Sequence, residues 1–189
     1  MAGVEKAVKE TGGAVILLQH LADVDQPEPA DQKINALLGA QKDQIDGLVA
    51  TASVTSVVAA KSLRSLGDKR IKLVGISDDK IVIDGVKDGF VAGRIAQNAY
   101  GQGYIAAYVL DLLASGRCRV KDDAPFIKTP LTAHFIDSGT LFVSAKNVDT
   151  YKDELKRMTS DLQSSFKQKY LTCKLGGADG LLGADGTAQ

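Results

Sequence analysis

Residues 71–104 constrain the fold more than any other part of the chain. They read IKLVGISDDKIVIDGVKDGFVAGRIAQNAYGQGY. The pattern predicts a buried strand, a polar turn, a short helix, a second strand and a long helix. Strands and helices that alternate with short connections indicate a parallel sheet with right-handed crossovers. In an open sheet of this kind, ligands bind beyond the carboxyl ends of the strands.

The same alternation covers the preceding part of the chain, and it predicts an α/β fold with a doubly wound, mostly parallel sheet and helices on both faces. Residues 14–18 are a continuous apolar run, as expected of a strand covered on both faces. Asp31 is a plausible cap for the helix that follows. The predicted helices are 4–10, 32–41, 55–66, 81–87 and 100–113, and the predicted strands are 14–18, 45–51, 71–76 and 90–96.

The pattern changes after Arg119. Residues 127–132 are predicted to be extended, and residues 134–144 to form a hairpin or a pair of crossing segments. A polar helix is expected from Asn147 to about residue 169. Residues 175–189 are rich in Gly, Ala and Asp, which predicts disorder.

Composition excludes several classes of partner. Lys plus Arg and Asp plus Glu both number 23, so net charge favours neither nucleic acid nor an anionic membrane. No apolar stretch approaches the roughly 20 residues of a membrane-spanning helix. Residues 1–13 lack the apolar core of a secretory signal peptide. Cys118 and Cys173 allow either a disulfide or two thiols, and their spacing leaves both alternatives open.

Three motifs within residues 71–104, VGISDD, DGVKDG and AQNAYGQGY, carry a family resemblance, together with NVDTY at residues 147–151. They resemble the C-terminal lobe of type I periplasmic sugar-binding proteins of the ribose- and galactose-binding kind. The resemblance implies the solute receptor of an ABC importer, which binds a sugar or polyol non-covalently between two lobes and then docks on a permease. It implies a periplasmic location, and neither an enzyme nor a cofactor.

The resemblance also suggests how the chain is divided. Residues 1–150 match the lobe without its first strand, residues 151–174 form a C-terminal helix and residues 175–189 form a tail. The family's strand order is 2-1-3-4-5, so a missing strand 1 would leave two neighbours with unpaired edges. We therefore expect the chain to be an internal piece of a longer protein, or another segment to fill the slot. The hairpin at 134–144 is one candidate.

The resemblance and the strand ends together nominate five ligand-binding residues: Gln97, Asp78, Ser77, Ser53 and Asp23. An amide such as that of Gln97 donates and accepts at once, which suits a sugar hydroxyl. A carboxylate such as that of Asp78 accepts from hydroxyl donors. Each of the five also has a purely structural interpretation, as a helix-entry, capping or solvated turn residue.

Neighbouring positions are assigned to structure or depart from the family. Asn98 and Asp79 are expected to cap helices. Val24 stands where the family often has an aromatic ring, and Ala52 stands where it commonly has Asn, so the identity of the sugar does not follow from the resemblance.

Catalysis has little support. His20 and His134 are the only histidines and lie on separate segments, and no phosphate-binding loop or nucleophile elbow is present. No metal site is predicted. Two alternatives remain: a regulatory or sensor module of the same fold that binds a protein partner, and a small flavodoxin-like enzyme.

Overall fold

The structure, a computed structural model, describes residues 2–174. Strands and helices alternate from residue 47 to residue 114, as the sequence predicts. The helices are α1 (Ala2–Glu10), α2 (Pro27–Gln41), α3 (Ser53–Leu66), α4 (Lys80–Asp88), α5 (Ala99–Ala114) and α6 (Tyr151–Tyr170), with a 3₁₀ turn at Lys42–Gln44. The strands are β1 (Gly47–Val49), β2 (Lys72–Gly75), β3 (Val91–Gln97), β4 (Cys118–Val120), β5 (Thr140–Val143) and β6 (Leu171–Cys173).

The main sheet has the strand order β1-β2-β3-β5. Strands β1, β2 and β3 are mutually parallel, with Leu48 opposite Leu73 and Val74 opposite Gly93. Helices α3 and α4 provide the crossover connections between these strands. The predicted α/β class with a mostly parallel sheet is thus confirmed.

The described chain divides into two compact units. The first contains the residues up to Ala96 together with Leu141–Tyr151, and the second contains Gln97–Thr140 together with the residues from Lys152 onward. In the first unit, α2 packs on α3 and α3 packs on α4 and β2. Its core includes the buried side chains of Leu38, Leu63, Leu73, Val82 and Val91.

The second unit is built from α5, α6 and the antiparallel pair β4–β6. Its core contains Ile105, Leu112, Phe166 and Leu171. Cys118 and Cys173 lie opposite each other in the β4–β6 pair and form a disulfide. The structure therefore resolves, in favour of a disulfide, the question that the spacing left open.

The prediction of a strand at residues 14–18 is wrong. This segment belongs to no strand, and Val15, Ile16, Leu17 and Leu18 are between 41% and 81% exposed. An apolar run becomes a buried strand only when a neighbour satisfies its backbone groups. Among the described residues no strand pairs with it.

Residues 134–144, the candidate for the slot of the missing strand 1, do not take that place. Strand β5 lies next to β3, whereas β1 forms the opposite edge of the sheet. Phe135 instead forms an isolated antiparallel bridge with Ile127, which lies outside the expected hairpin. At the edge strand β1, Val49 is 59% exposed.

Helix α2 begins earlier than predicted. Pro27 occupies its first turn, and Asp31 therefore lies inside the helix and does not cap it. The predicted tail at 175–189 lies outside the described residues. Within residues 2–174, no helix is long and apolar enough to cross a membrane.

Candidate functional site

Two serines meet where β1 and β2 end. Ser53 begins α3 just beyond β1, and Ser77 follows β2. Their Oγ atoms are 2.8 Å apart, so one hydroxyl donates to the other. Ser77 is buried and Ser53 is exposed. The carboxyl ends of neighbouring parallel strands thus bring together two of the five predicted residues.

The turn that holds Asp78 is fixed on both sides by side-chain hydrogen bonds. The Ser77 hydroxyl accepts a hydrogen bond of 3.2 Å from the backbone N–H of Asp79. The Asp79 carboxylate accepts one of 2.9 Å from the N–H of Ile81, so that Asp79 caps α4 as predicted. Asp78 lies between Ser77 and Asp79, and its side chain is 68% exposed.

Two residues that the sequence did not nominate hold the Asp78 carboxylate. The Tyr151 hydroxyl donates to Asp78 Oδ1 over 3.1 Å. Arg94 Nη1 lies 2.8 Å from the same oxygen. The guanidinium carbon of Arg94 lies 5.4 Å from the centre of the Tyr151 ring, within the range of a cation–π interaction. The three side chains therefore form one cluster.

Arg94 is an unusual member of this cluster because its side chain is only 2% exposed. Within the described residues, its Nε and Nη1 atoms are buried and donate no well-directed hydrogen bond, despite the short ion-pair contact of Nη1. An unpaired buried donor costs about 1–3 kcal/mol, so packing alone gives no reason for an arginine here. The signal in the sequence is a single charge within the apolar strand VAGRIA.

The pKa of Tyr151 is raised above its ordinary value. Burial is the largest cause, and the negative charge of Asp78 and the hydrogen bond to it act in the same direction. The positive charge of Arg94 opposes them. Tyr151 therefore keeps its proton, and remains a hydrogen-bond donor to Asp78, further into the alkaline range than an ordinary tyrosine.

Asp23 and Gln97 are not part of this cluster of contacts. Asp23 lies on an exposed loop with a positive φ of 54° and contacts Lys33 Nζ at 3.8 Å. Gln97 is the exposed last residue of β3 and belongs to the second unit. The next residue, Asn98, caps α5 as predicted, because its Oδ1 accepts from the N–H of Gly101 over 2.9 Å.

The side chains of Ser53, Ser77 and Asp78 are suited to hydrogen bonding. Serine hydroxyls donate and accept, and a carboxylate accepts only. Among residues 2–174, no group of three or more His, Cys, Asp or Glu side chains is arranged to hold a metal ion. The side chain of His134 instead makes an edge contact with the ring of Phe126.

The chain matches the family model described as periplasmic binding protein domain over residues 1–118. It therefore belongs to the periplasmic binding protein domain family. No curated protein matches it.

Solved structures support the same fold. A sugar-binding protein of a sugar ABC transporter from Bacillus halodurans superposes with a TM-score of 0.66 at 20% identity, covering 80% of this chain and 51% of the other. An ABC transporter solute-binding protein from Agrobacterium vitis, solved with bound D-fucose, superposes with a TM-score of 0.63 at 19% identity. The match covers 82% of this chain and 48% of the other.

A solute-binding protein from Burkholderia graminis C4D1M, in complex with D-arabinose, superposes with a TM-score of 0.64 at 21% identity. The match covers 79% of this chain and 48% of the other. The chain thus spans about half the length of the structures that it matches. Its fold is that of one lobe of a periplasmic binding protein.

Proposed function

We propose that this chain is part of the solute-binding component of an ABC-type sugar importer and binds a sugar or polyol non-covalently. The observation that carries the proposal is the placement of Ser53, Ser77 and Asp78 at the carboxyl ends of β1 and β2. The family match and the lobe fold support it, as do neighbours solved with D-fucose and D-arabinose. Gln97 and Asp23 are retained as separate candidates for ligand contact.

The proposed mechanism makes and breaks no covalent bond. Ligand hydroxyls are satisfied by the serine hydroxyls and by Asp78, and binding energy shifts a hinge equilibrium toward a closed form that docks on the permease. A binding site usually buries most of its ligand's surface. One lobe supplies only part of such an enclosure, so we expect this chain alone to bind weakly, on the order of millimolar.

The disulfide supports a periplasmic location for this activity. Cys118 and Cys173 are paired. Disulfides persist in oxidising compartments, such as the bacterial periplasm, and are rare in the cytosol. An exported sugar receptor is consistent with that pairing.

The test is a titration of the isotope-labelled chain with D-arabinose and with D-fucose, followed by amide chemical shifts in NMR spectra. Saturable shifts are expected at Ser53, Ser77 and Asp78. Asp78→Ala should weaken binding about tenfold, the loss of one charge-assisted hydrogen bond. Asp84→Ala is the matched control because Asp84 pairs with Lys80 on the surface of α4.

Equal losses in the two variants would count against the assigned site. Shifts spread over the chain without saturation would count against sugar binding itself. Gln97→Ala and Asp23→Ala, measured in the same way, test those two predictions separately.

A second candidate, a regulatory or sensor module that binds a protein partner, is favoured by one observation. Val15, Ile16, Leu17 and Leu18 form an exposed apolar run, and large exposed apolar patches mark interaction surfaces. This function predicts a stable dimer in sedimentation velocity that Ile16→Ser with Leu17→Ser converts to monomer. Leu131→Ser is the control, since Leu131 is 96% exposed but lies outside the run. A wild-type monomer at all concentrations would exclude self-association by this run.

A further inference from the structure

Within residues 2–174, the two contacts to the Asp78 carboxylate fall on the same oxygen. Tyr151 Oη and Arg94 Nη1 lie 3.1 Å and 2.8 Å from Oδ1. The second oxygen, Oδ2, belongs to a side chain that is 68% exposed. The cluster therefore restricts the rotation of an otherwise solvated carboxylate and leaves one acceptor oxygen available to a ligand.

We infer that Arg94 and Tyr151 are positioning residues that hold Asp78 ready to accept a ligand hydroxyl, and that the site consequently selects neutral polyhydroxy ligands over sugar acids. This inference rests on the proposed function and adds to it two residues and a ligand class. Fixing a polar group before the ligand arrives increases affinity, because its rotational freedom is not lost on binding.

The arrangement is difficult to explain as a device for stability. Arg94 is buried, its Nε and Nη1 make no well-directed hydrogen bond among the described residues, and its ion-pair partner is exposed. Removing one partner of a buried ion pair is costly when the other charge remains buried. Here the remaining Asp78 carboxylate would stay solvated. A methionine at position 94 would replace the aliphatic part of the side chain without adding buried donors.

The charges around Asp78 determine the ligand class. The positive charge of Arg94 is buried and faces the negative charge of Asp78. The lysines at either end of α4 are engaged elsewhere, Lys80 with Asp84 and Lys87 with Asp149. A ligand carboxylate has no proton to donate to Asp78 and carries a like charge, whereas a neutral hydroxyl donates to it.

A double-mutant cycle tests the positioning role. Binding of D-fucose and D-galactose is measured by NMR titration of the full chain for wild type, Asp78→Asn, Arg94→Met and the double variant. We expect Asp78→Asn to weaken binding about tenfold and Arg94→Met about fivefold, with the double variant no weaker than Asp78→Asn alone. Arg94→Lys should retain more affinity than Arg94→Met, since it keeps the charge. Arg157→Met, an exposed arginine of α6, is the control and should bind as wild type does.

Thermal unfolding of the same variants separates positioning from structural support. Arg94→Met is expected to have a Tm equal to or higher than that of wild type while it loses affinity. A Tm lower by several degrees would assign Arg94 to structure and overturn the inference. Additive losses in the double variant, about fiftyfold, would mean that Arg94 contacts the ligand itself, which would also overturn it.

The ligand class is tested with three sugars that differ only at C6. D-fucose carries a methyl group there, D-galactose a hydroxymethyl group and D-galacturonate a carboxylate. We expect D-galacturonate to bind at least about tenfold more weakly than D-galactose, and equal binding would overturn the selectivity. If wild type binds neither neutral sugar, the proposed function fails and this inference with it. If wild type binds and Arg94→Met binds equally well, only the inference fails.

Discussion

The hydroxyl of Ser56 on α3 accepts a hydrogen bond, 2.8 Å long, from the backbone N–H of Ile76 at the end of β2. The same hydroxyl donates to the carbonyl of Ala52 over 2.7 Å. Ser56 is fully buried and sits against Gly75, where an added Cβ would lie 2.8 Å from its Oγ. One serine thus fixes the start of α3 against the strand end that leads into Ser77.

Ser56→Ala should lower the free energy of unfolding by about 1–3 kcal/mol, because the N–H of Ile76 would lose its acceptor. Chemical denaturation measures this. The control is Ser164→Ala, whose exposed hydroxyl donates to the carbonyl of Asp161 in its own helix, and which should change stability by less than about 0.5 kcal/mol. Equal effects of the two substitutions would contradict the role of Ser56.

Asn98 should be more important to stability than its role as a helix cap suggests. Its buried amide donates to the carbonyl of Ser138 over 2.8 Å and to Thr159 Oγ1 over 2.9 Å, while its Oδ1 caps α5. We expect Asn98→Ala to destabilise the protein by about 2–3 kcal/mol in chemical denaturation, since several buried groups lose partners. Asn35→Ala, at an exposed position of α2, should be neutral or slightly stabilising, because alanine favours helix. A larger loss of stability in Asn35→Ala than in Asn98→Ala would contradict the structural role of Asn98.

The local elements of residues 71–104 could be predicted because turn residues and apolar periodicity mark them directly. Ser53 and Ser77 could be predicted to be close, since both follow neighbouring parallel strands. Arg94 and Tyr151 could not be linked to Asp78. They come from the middle of a strand and the start of a distant helix, and no local pattern joins them.

The predictions that the structure contradicts, or that the sequence leaves to the structure to decide, have physical explanations as well. The run at residues 14–18 has the composition of a strand, but pairing depends on a neighbour that local sequence does not reveal. The predicted start at residue 32 lies after the observed start of α2 at Pro27, because proline usually interrupts a helix but is well accommodated in its first turn. The disulfide depended on β4 and β6 pairing, which the spacing of the cysteines does not indicate.

Two glycine substitutions should change stability in opposite directions. A Cβ at Gly93 of β3 would lie 2.3 Å from Phe142 Cζ and 2.8 Å from the carbonyl oxygen of Val143, both on β5. Gly93→Ala should therefore destabilise the protein by about 1–3 kcal/mol through overpacking. Gly39→Ala, inside α2 with no atom near the added Cβ, should stabilise it by about 0.5–1 kcal/mol. Thermal unfolding of both variants measures these changes in stability. An unchanged Tm in Gly93→Ala would show that β5 can move away from β3.

The disulfide should contribute substantially to stability. It joins cysteines 55 positions apart, and closing a loop of this length stabilises the folded state by about 4 kcal/mol in the chain-entropy model. Cys118→Ser with Cys173→Ser should lower the unfolding free energy by about 2–4 kcal/mol. A reducing agent should lower the Tm of the wild type but not that of the double variant. A wild type insensitive to reduction would contradict this prediction.

Tyr151 should make stability depend on alkaline pH. Its pKa is raised above the ordinary value of 10.0, chiefly by burial and then by the negative charge of Asp78. The folded state holds this proton more tightly than the unfolded state. The contribution of Tyr151 to the stability of the folded state is therefore fully present below pH 10. It is lost as the pH rises through the folded-state pKa of Tyr151. Stability measured by denaturation should fall less steeply above pH 10 in Tyr151→Phe than in wild type.

Substitutions of its two partners should shift the pKa of Tyr151 in opposite directions. Asp78→Asn removes a charge that raises this pKa, so tyrosinate absorbance near 295 nm should develop at lower pH. Arg94→Met removes a charge that lowers it, so the same absorbance should develop at higher pH. Subtracting the titration of Tyr151→Phe from that of wild type isolates this residue from the other tyrosines. Shifts of the same sign in both variants would contradict a cluster in which Asp78 and Arg94 act on Tyr151 with opposite charges.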